Sequence, residues 1–323
     1  MHSIIEMLRY MRPQDSVSQR QFCKRFLEPV FGLPDEHGNY IHLVGDRPKL
    51  CFTAHHDTVH KDSGMQKLVV SNDVVSVADN KVSNCLGADC TTGIYIILCM
   101  IEAGIEGTYV IHAAEESGCK GSFALVEDYP YWLEHTRAVI SFDRYGDNSV
   151  ITHQMGLRTA SDEFALSFAE ALNMPQLKPD TGGSYTDSNE YALIVPECTN
   201  ISVGYYGQHG VNETQDLQYL DKLVEALLCA DLSQLVFVRD PKDIEYAPYY
   251  GKASGISRGG YNVTESRENV EAILSIVMDY PHEISEMLAD YGFNPYDLME
   301  ECSIQDGYHL NNYVDVNSWR KYM

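Results

Sequence analysis

A chain of 323 residues, 44% of them apolar, can bury a substantial core as one large domain or as a domain with an appendage. Its formal charge of −24 speaks against non-specific binding to nucleic acid or to an anionic membrane surface. The longest apolar run, Ile94 to Ile101, is too short to span a bilayer, and the N-terminus lacks the pattern of a signal peptide. Nine cysteines, mostly inside apolar runs and without a CxxC pair, fit neither a zinc finger nor a disulfide framework. Reduced thiols in a cytoplasmic protein are the expectation.

In chain order, Ser3 to Met11 predicts a helix stopped by Pro13. Ser18-Gln19-Arg20-Gln21 predicts a capping box ahead of Phe22, Phe26, Leu27 and Val30 at helical spacing. Tyr40–Val44 and Leu50–Ala54 predict strands, and Leu68–Val70 with Val74–Ala78 predicts a hairpin around Ser71-Asn72-Asp73. A helix over 91–103 closes at Gly104, and the strand 108–114 ends in two glutamates. A helix around 122–127, a strand over 138–142, a helix over 164–172 capped by Ser161, a strand over 199–203 and helix from Leu217 to Leu235 complete the alternation. Such alternation predicts a three-layer α/β/α sandwich with a mainly parallel mixed sheet. Composition shifts after Val238. Residues 1–238 read as the catalytic domain, and 239–323 as a linker followed by an acidic helical C-terminal extension.

Acid and imidazole clusters sit where the apolar runs end, which is where an open α/β sheet gathers its chemistry. They are His55 and Asp57, then Asp89, then Glu115 and Glu116, then Asp143, then His209. His55 is a candidate metal ligand, and Asp57 two residues on can accept the other imidazole proton and fix the tautomer. Asp89, in a turn of small residues before the next helix, is either a plain helix cap or a metal-bridging carboxylate. Adjacent strand residues face opposite ways, so Glu115 and Glu116 share a site only if the chain bends, for which Gly118 and Gly121 are candidates. Asp143 and His209 each also read as ordinary loop polarity when taken alone. Converging, two imidazoles and three carboxylates suit two zinc ions that share one carboxylate, with Co2+ or Mn2+ as further occupants.

The order His-x-Asp, Asp, Glu-Glu, Asp, His resembles the co-catalytic zinc exopeptidase superfamily, in particular the bacterial leucyl aminopeptidase branch. The resemblance spans roughly residues 1–235. It implies that His55 and Asp143 hold one zinc, Glu116 and His209 the other, and that Asp89 bridges them. It also implies Glu115 as general base and acid and Asp57 as the residue orienting His55. Two features depart from the wider superfamily: Cys90 follows the bridging aspartate where Asp or Asn is usual, and the short separation of Asp143 from His209 leaves no room for an inserted lid domain. Arg144, Tyr185, Asp187 and Tyr205 are candidates to touch substrate.

The expected activity is removal of N-terminal residues from short peptides or amino-acid amides by a metal-activated water. The alternatives are a carboxypeptidase or N-acyl amino acid deacylase using the same centre, and a non-catalytic relative that keeps the site as structure. Oligomeric state stays open.

Overall fold

In the computed structural model, which describes residues 3–243 and Glu245, the apolar runs become a seven-stranded sheet. The chain opens with helix α1 (Ile4–Met7) and a short strand β1 (Tyr10–Met11). Helix α2 (Val17–Phe22) then continues through a π-helical turn, Cys23–Leu27, into α3 (Glu28–Phe31). Strands β2 (Tyr40–Val44) and β3 (Leu50–His55) enter the sheet. β4 (Gly64–Met65) pairs back onto β1, and β5 (Leu68–Ser71) and β6 (Val74–Val77) form the expected hairpin. Helix α4 (Ala88–Glu102) leads to β7 (Gly107–His112), α5 (Lys120–Glu127) and β8 (Ala138–Arg144). Then come β9 (Ser149–Ile151), the small hairpin β10 (His153–Gln154) and β11 (Leu157–Arg158), and α6 (Asp162–Ala171). The last elements are β12 (Lys178–Asp180), α7 (Asp187–Glu190), β13 (Glu197–Ser202), β14 (Tyr205–Tyr206), β15 (Thr214–Asp216) and α8 (Leu217–Cys229).

The sheet order is β12-β9-β13-β8-β3-β7-β2. β13, β8, β3 and β7 run parallel, while β2 pairs antiparallel to β7 at one edge and β9 antiparallel to β13 near the other. Alternation along β3 makes the layers. Phe52 and Ala54 join the larger core with α4, α6 and α8, whereas Cys51 joins the opposite core with Leu125, Trp132 and Tyr191. Phe52 stacks between Tyr109 and Phe142 at centroid distances of 5.4 and 5.9 Å, and each such buried ring contributes about 1.5–3 kcal/mol.

Local chemistry explains where the elements depart from expectation. The cap of α2 is Ser16, whose hydroxyl accepts from Gln19 N at 3.1 Å, while Ser18 instead accepts from Gly64 N and donates to the Met11 carbonyl. Tyr10 and Met11 leave the helix expected over 3–11 because their backbone pairs with β4. Helix α4 becomes regular only at Thr91, since Asp89 and Cys90 have non-helical angles. A Cβ at Gly93 would strike the Phe142 carbonyl and Cys90 Sγ, so glycine lets the start of α4 press against β8.

Beyond Val238 the fold continues. Arg239 is buried, its N–H and that of Val238 reach Glu197 Oε1 at 3.0 and 2.9 Å, and its guanidinium donates to the Ala192, Val195 and Pro196 carbonyls. The acidic helices expected after residue 264 lie outside the described residues. Among the described residues no helix is long and apolar enough to cross a membrane.

Candidate metal centre

Parallel strands deliver their C-terminal ends to one place, and the acid and imidazole residues stand there. His55 is the last residue of β3, and Asp143 is the last but one of β8. β7 stops at His112, and the chain turns at Ala114, which adopts φ 57°. This is the bend the double glutamate requires; it falls at an alanine, not at Gly118 or Gly121. The turn is fixed by Asp57, whose two carboxylate oxygens accept the N–H groups of Glu115 and Glu116, each at 3.1 Å. Asn39 Oδ1 takes the Ala113 N–H just before the bend.

Asp57 also faces His55. His55 Nδ1 lies 3.1 Å from the Asp57 carbonyl and 3.5 Å from its carboxylate, so Nε2 is the atom turned to the centre. There it stands 3.1 Å from Asp89 Oδ1, 3.4 Å from Asp143 Oδ1 and 3.8 Å from Glu115 Oε2. His209, from the loop after β14, places Nε2 3.2 Å from Asp89 Oδ2 and 3.3 Å from Glu116 Oε2. Each oxygen of Asp89 therefore meets a different imidazole, and each imidazole also approaches a second carboxylate, Asp143 or Glu116. The hydrogen bonds of the Asp89 carboxylate go to these two imidazoles and not to the start of the helix. The Asp89–Cys90 peptide is cis, and the Cys90 thiol donates to the Phe142 carbonyl at 3.1 Å.

The centre is acidic and mostly dry. Burial, with Asp143, Asp187 and Glu116 nearby, holds the Glu115 carboxyl well above the usual carboxylate range despite His55. Burial, then Asp89, raises Asp143 as well. Asp89 moves the other way, because hydrogen bonds from His209 and His55 outweigh the cost of burying it. Bonds to Asp89 and Glu116 push the His209 imidazole up to about 11. Glu116 Oε1 is buried without a hydrogen-bond partner among the described residues, and Asp143 Oδ1 has only the 3.4 Å approach of His55 Nε2. Carboxylate oxygens left so are costly unless a cation meets them. Donor atoms of His55, Asp89 and Glu116 lie within 4.8 Å of one another, as do those of His55, Cys90 and Asp143. Imidazole and carboxylate donors at this spacing fit divalent cations, zinc among them.

Asp143 is held from three directions that sequence alone did not disclose. Thr186 Oγ1 donates to its Oδ2 at 2.7 Å, Asn200 Oδ1 accepts its N–H at 2.9 Å, and the Tyr205 hydroxyl donates to its carbonyl at 2.8 Å. Glu213, likewise unforeseen, is a buried acid four positions after His209. Neither a period nor a motif marks it.

Of the four residues expected at substrate, Tyr185 stands open at 46% exposure, with its hydroxyl donating to Glu190 at 2.6 Å. Asp187 is buried and accepts from Ser122 at 2.6 Å. Tyr205 spends its hydroxyl on Asp143, as above. Arg144 is buried too, 3.6 Å from Asp180 Oδ2 and with its guanidinium carbon 4.2 Å from the centre of the Tyr145 ring. These last three are buried, and each has a neighbour for part of its polar group, although Arg144 Nε has no hydrogen-bond partner among the described residues.

No protein-family model matches the chain, and no curated protein matches it in sequence. Solved structures match its fold. A tripeptidase from Staphylococcus aureus aligns with a TM-score of 0.57 at 14% identity, over 70% of this chain and 95% of that one. Aminopeptidase PepT from Bacillus cereus gives 0.54 at 14% identity, over the same shares. The TET1 peptidase of Pyrococcus horikoshii, described as assembling into a tetrahedron or a large octahedral shell, gives 0.51 at 16%, over 71% of this chain and 100% of that one. The chain therefore has the mixed α/β fold of these peptidases, with a central, mostly parallel sheet.

Proposed function

We propose that the protein is a metal-dependent peptidase that removes N-terminal residues from short peptides or amino-acid amides. The observation that carries this reading is the split of Asp89, whose two oxygens each meet a different histidine, each histidine in turn lying against a further carboxylate, Asp143 or Glu116. His55 and Asp143 would hold one cation, His209 and Glu116 the second, and Asp89 both. Zinc suits the donor set, and Co2+ or Mn2+ are accepted by similar sets. When bound, the cations polarise the scissile carbonyl and acidify water. Glu115, with Oε2 directed to the same point, takes the proton of the attacking water and passes it to the leaving amine. Asp57 fixes both the His55 tautomer and the peptide bonds that aim Glu115 and Glu116.

The aminopeptidase and tripeptidase named among the structural neighbours support the peptide substrate. The engagement of Arg144 by Asp180 weighs against a site built to grip a substrate carboxylate. Buried, unpaired thiols support a cytoplasmic setting.

Zinc-, cobalt- or manganese-loaded protein, assayed on di- and tripeptides, amino-acid amides and N-acyl amino acids, tests the reading. Turnover of free-amine substrates is expected. Glu115→Gln should keep its metal and lose about 10²–10⁴-fold in kcat. Undiminished hydrolysis by that variant would remove Glu115 from its role, and exclusive turnover of N-acyl substrates would replace the aminopeptidase with a deacylase.

A further inference from the structure

The start of α4 poses a problem of hydrogen-bond accounting. A helix N-terminus leaves backbone N–H groups without intrahelical partners, and the residue at the cap normally supplies an acceptor. Asp89 lies in the first turn and could offer such an acceptor, yet its carboxylate is turned to His55 and His209. Gly87, in the left-handed region at φ 70°, has no side chain to offer. The N–H of Asp89, together with those of Leu86 and Gly87 just ahead of the helix, goes to one remote side chain. Glu213 Oε2 accepts from Leu86 at 2.8 Å and Gly87 at 2.9 Å, and Oε1 accepts from Asp89 at 3.2 Å.

Glu213 is 1% exposed and has no Lys, Arg or His bonded to it among the described residues. Such a charge is expensive to bury, and only a carboxylate offers acceptors at both ends for three converging donors. It also belongs to the segment that carries His209. Gly207 and Gly210 flank that histidine, and the Glu213 N–H closes the loop on the Gly210 carbonyl at 3.0 Å. Two residues further, Gln215 Oε1 accepts from Thr92 Oγ1. The loop bearing His209 and the turn bearing Asp89 are thus joined at one carboxylate.

We infer that Glu213 is a positioning residue which presents Asp89 to both halves of the centre and fixes the His209 loop to the same frame. Its carboxylate holds the Asp89 N–H in the first turn of α4 and the two N–H groups leading into it. The inference rests on the metal-peptidase reading for its purpose, and its test reads metal directly.

Full-length wild type, Glu213→Gln, Glu213→Asp and Leu227→Ala, a core change on α8, are stripped of metal and titrated with Co2+. Visible absorption and cobalt per chain are recorded, with metal-free melting temperatures alongside. Glu213→Gln should bind cobalt about 10–100-fold more weakly, with an altered visible spectrum. Glu213→Asp, too short to reach all three N–H groups, should fall between it and wild type, and serves if the glutamine variant does not fold. Leu227→Ala should lower the melting temperature and keep wild-type cobalt affinity. Unchanged cobalt affinity and spectrum in both Glu213 variants overturn the inference. So does a loss of affinity in Leu227→Ala equal to theirs, because the effect would then be one of stability alone. Wild type that binds two cobalt ions and cleaves no peptide removes the peptidase reading and leaves the role of Glu213 to be read from the same titration.

Discussion

The two halves of the centre are built differently. On one side His55 is 1% exposed at the end of a central strand, with Asp57 behind it and Asp143 braced by Thr186, Asn200 and Tyr205. On the other, His209 is half exposed, sits at φ 61° in a glycine-flanked loop, and meets Glu116 at a turn. The inner half is part of the sheet. The outer half is carried on loops and depends on a few long-range bonds to stay in place. Sheet-borne ligands get their precision from packing that the fold needs anyway, and loop-borne ligands need dedicated fasteners.

Removing each histidine in turn would sharpen that contrast most. With chelator present, His55→Ala leaves Asp57, Asp89 and Asp143 buried around a missing imidazole, a loss of about 3–5 kcal/mol. His209→Ala should cost under about 1 kcal/mol, because its side chain is half in water. Urea denaturation of both variants measures the difference, and equal losses would dissolve the distinction between inner and outer halves.

Asp57→Asn is the next largest test. It keeps the shape of the side chain but turns an N–H2 toward the Glu115 or Glu116 N–H. Metal affinity should fall about 10–100-fold, read by competition with a chromogenic chelator. A smaller effect belongs to Thr186→Val, which takes one 2.7 Å bond from Asp143. A change of about 0.5–1.5 kcal/mol is expected, read as no more than about a tenfold drop in cobalt affinity. If that drop exceeds the one from Asp57→Asn, the inner half is held mainly by its roof.

The weakest effect lies away from the centre. His37 Nε2 is 2.8 Å from Asp128 Oδ2, and that bond raises the imidazole above its ordinary 6.5. A raised folded value means that the ion pair's contribution is fully present below 6.5 and fades as pH climbs through the folded midpoint. Proton NMR should show a His37 midpoint above 6.5 that Asp128→Asn returns to it. An unmoved midpoint refutes the pairing in solution.

Much of this was legible in the sequence because strands buried on both faces write themselves as apolar runs. His55 and Asp143 end such runs, and Ser161 caps α6 through Phe164 N at 3.1 Å. What escaped depends on distant partners. Ala114 takes a positive φ because Asp57 holds the next two N–H groups, a constraint from 58 and 59 residues away. Asp89 resembles a cap, yet its oxygens go to two imidazoles and its own N–H goes to Glu213. The bond from the Tyr205 hydroxyl to the Asp143 carbonyl and the approach of Arg144 to Asp180 join residues far apart in the chain, and no local pattern announces them. The strands β14 and β15, two and three residues long, are too short for alternation to reveal.

The knot at Glu197 has a practical outcome for anyone trimming the chain. That one side chain gathers Ser161, Val238 and Arg239, and the Arg239 fork closes over the carbonyls where α7 runs into β13. A protease nick at residue 238, where the amino-acid composition changes, would therefore unfasten an edge of the sheet-bearing body. A chain that keeps residues through Asp243 would retain every bond of that fastening.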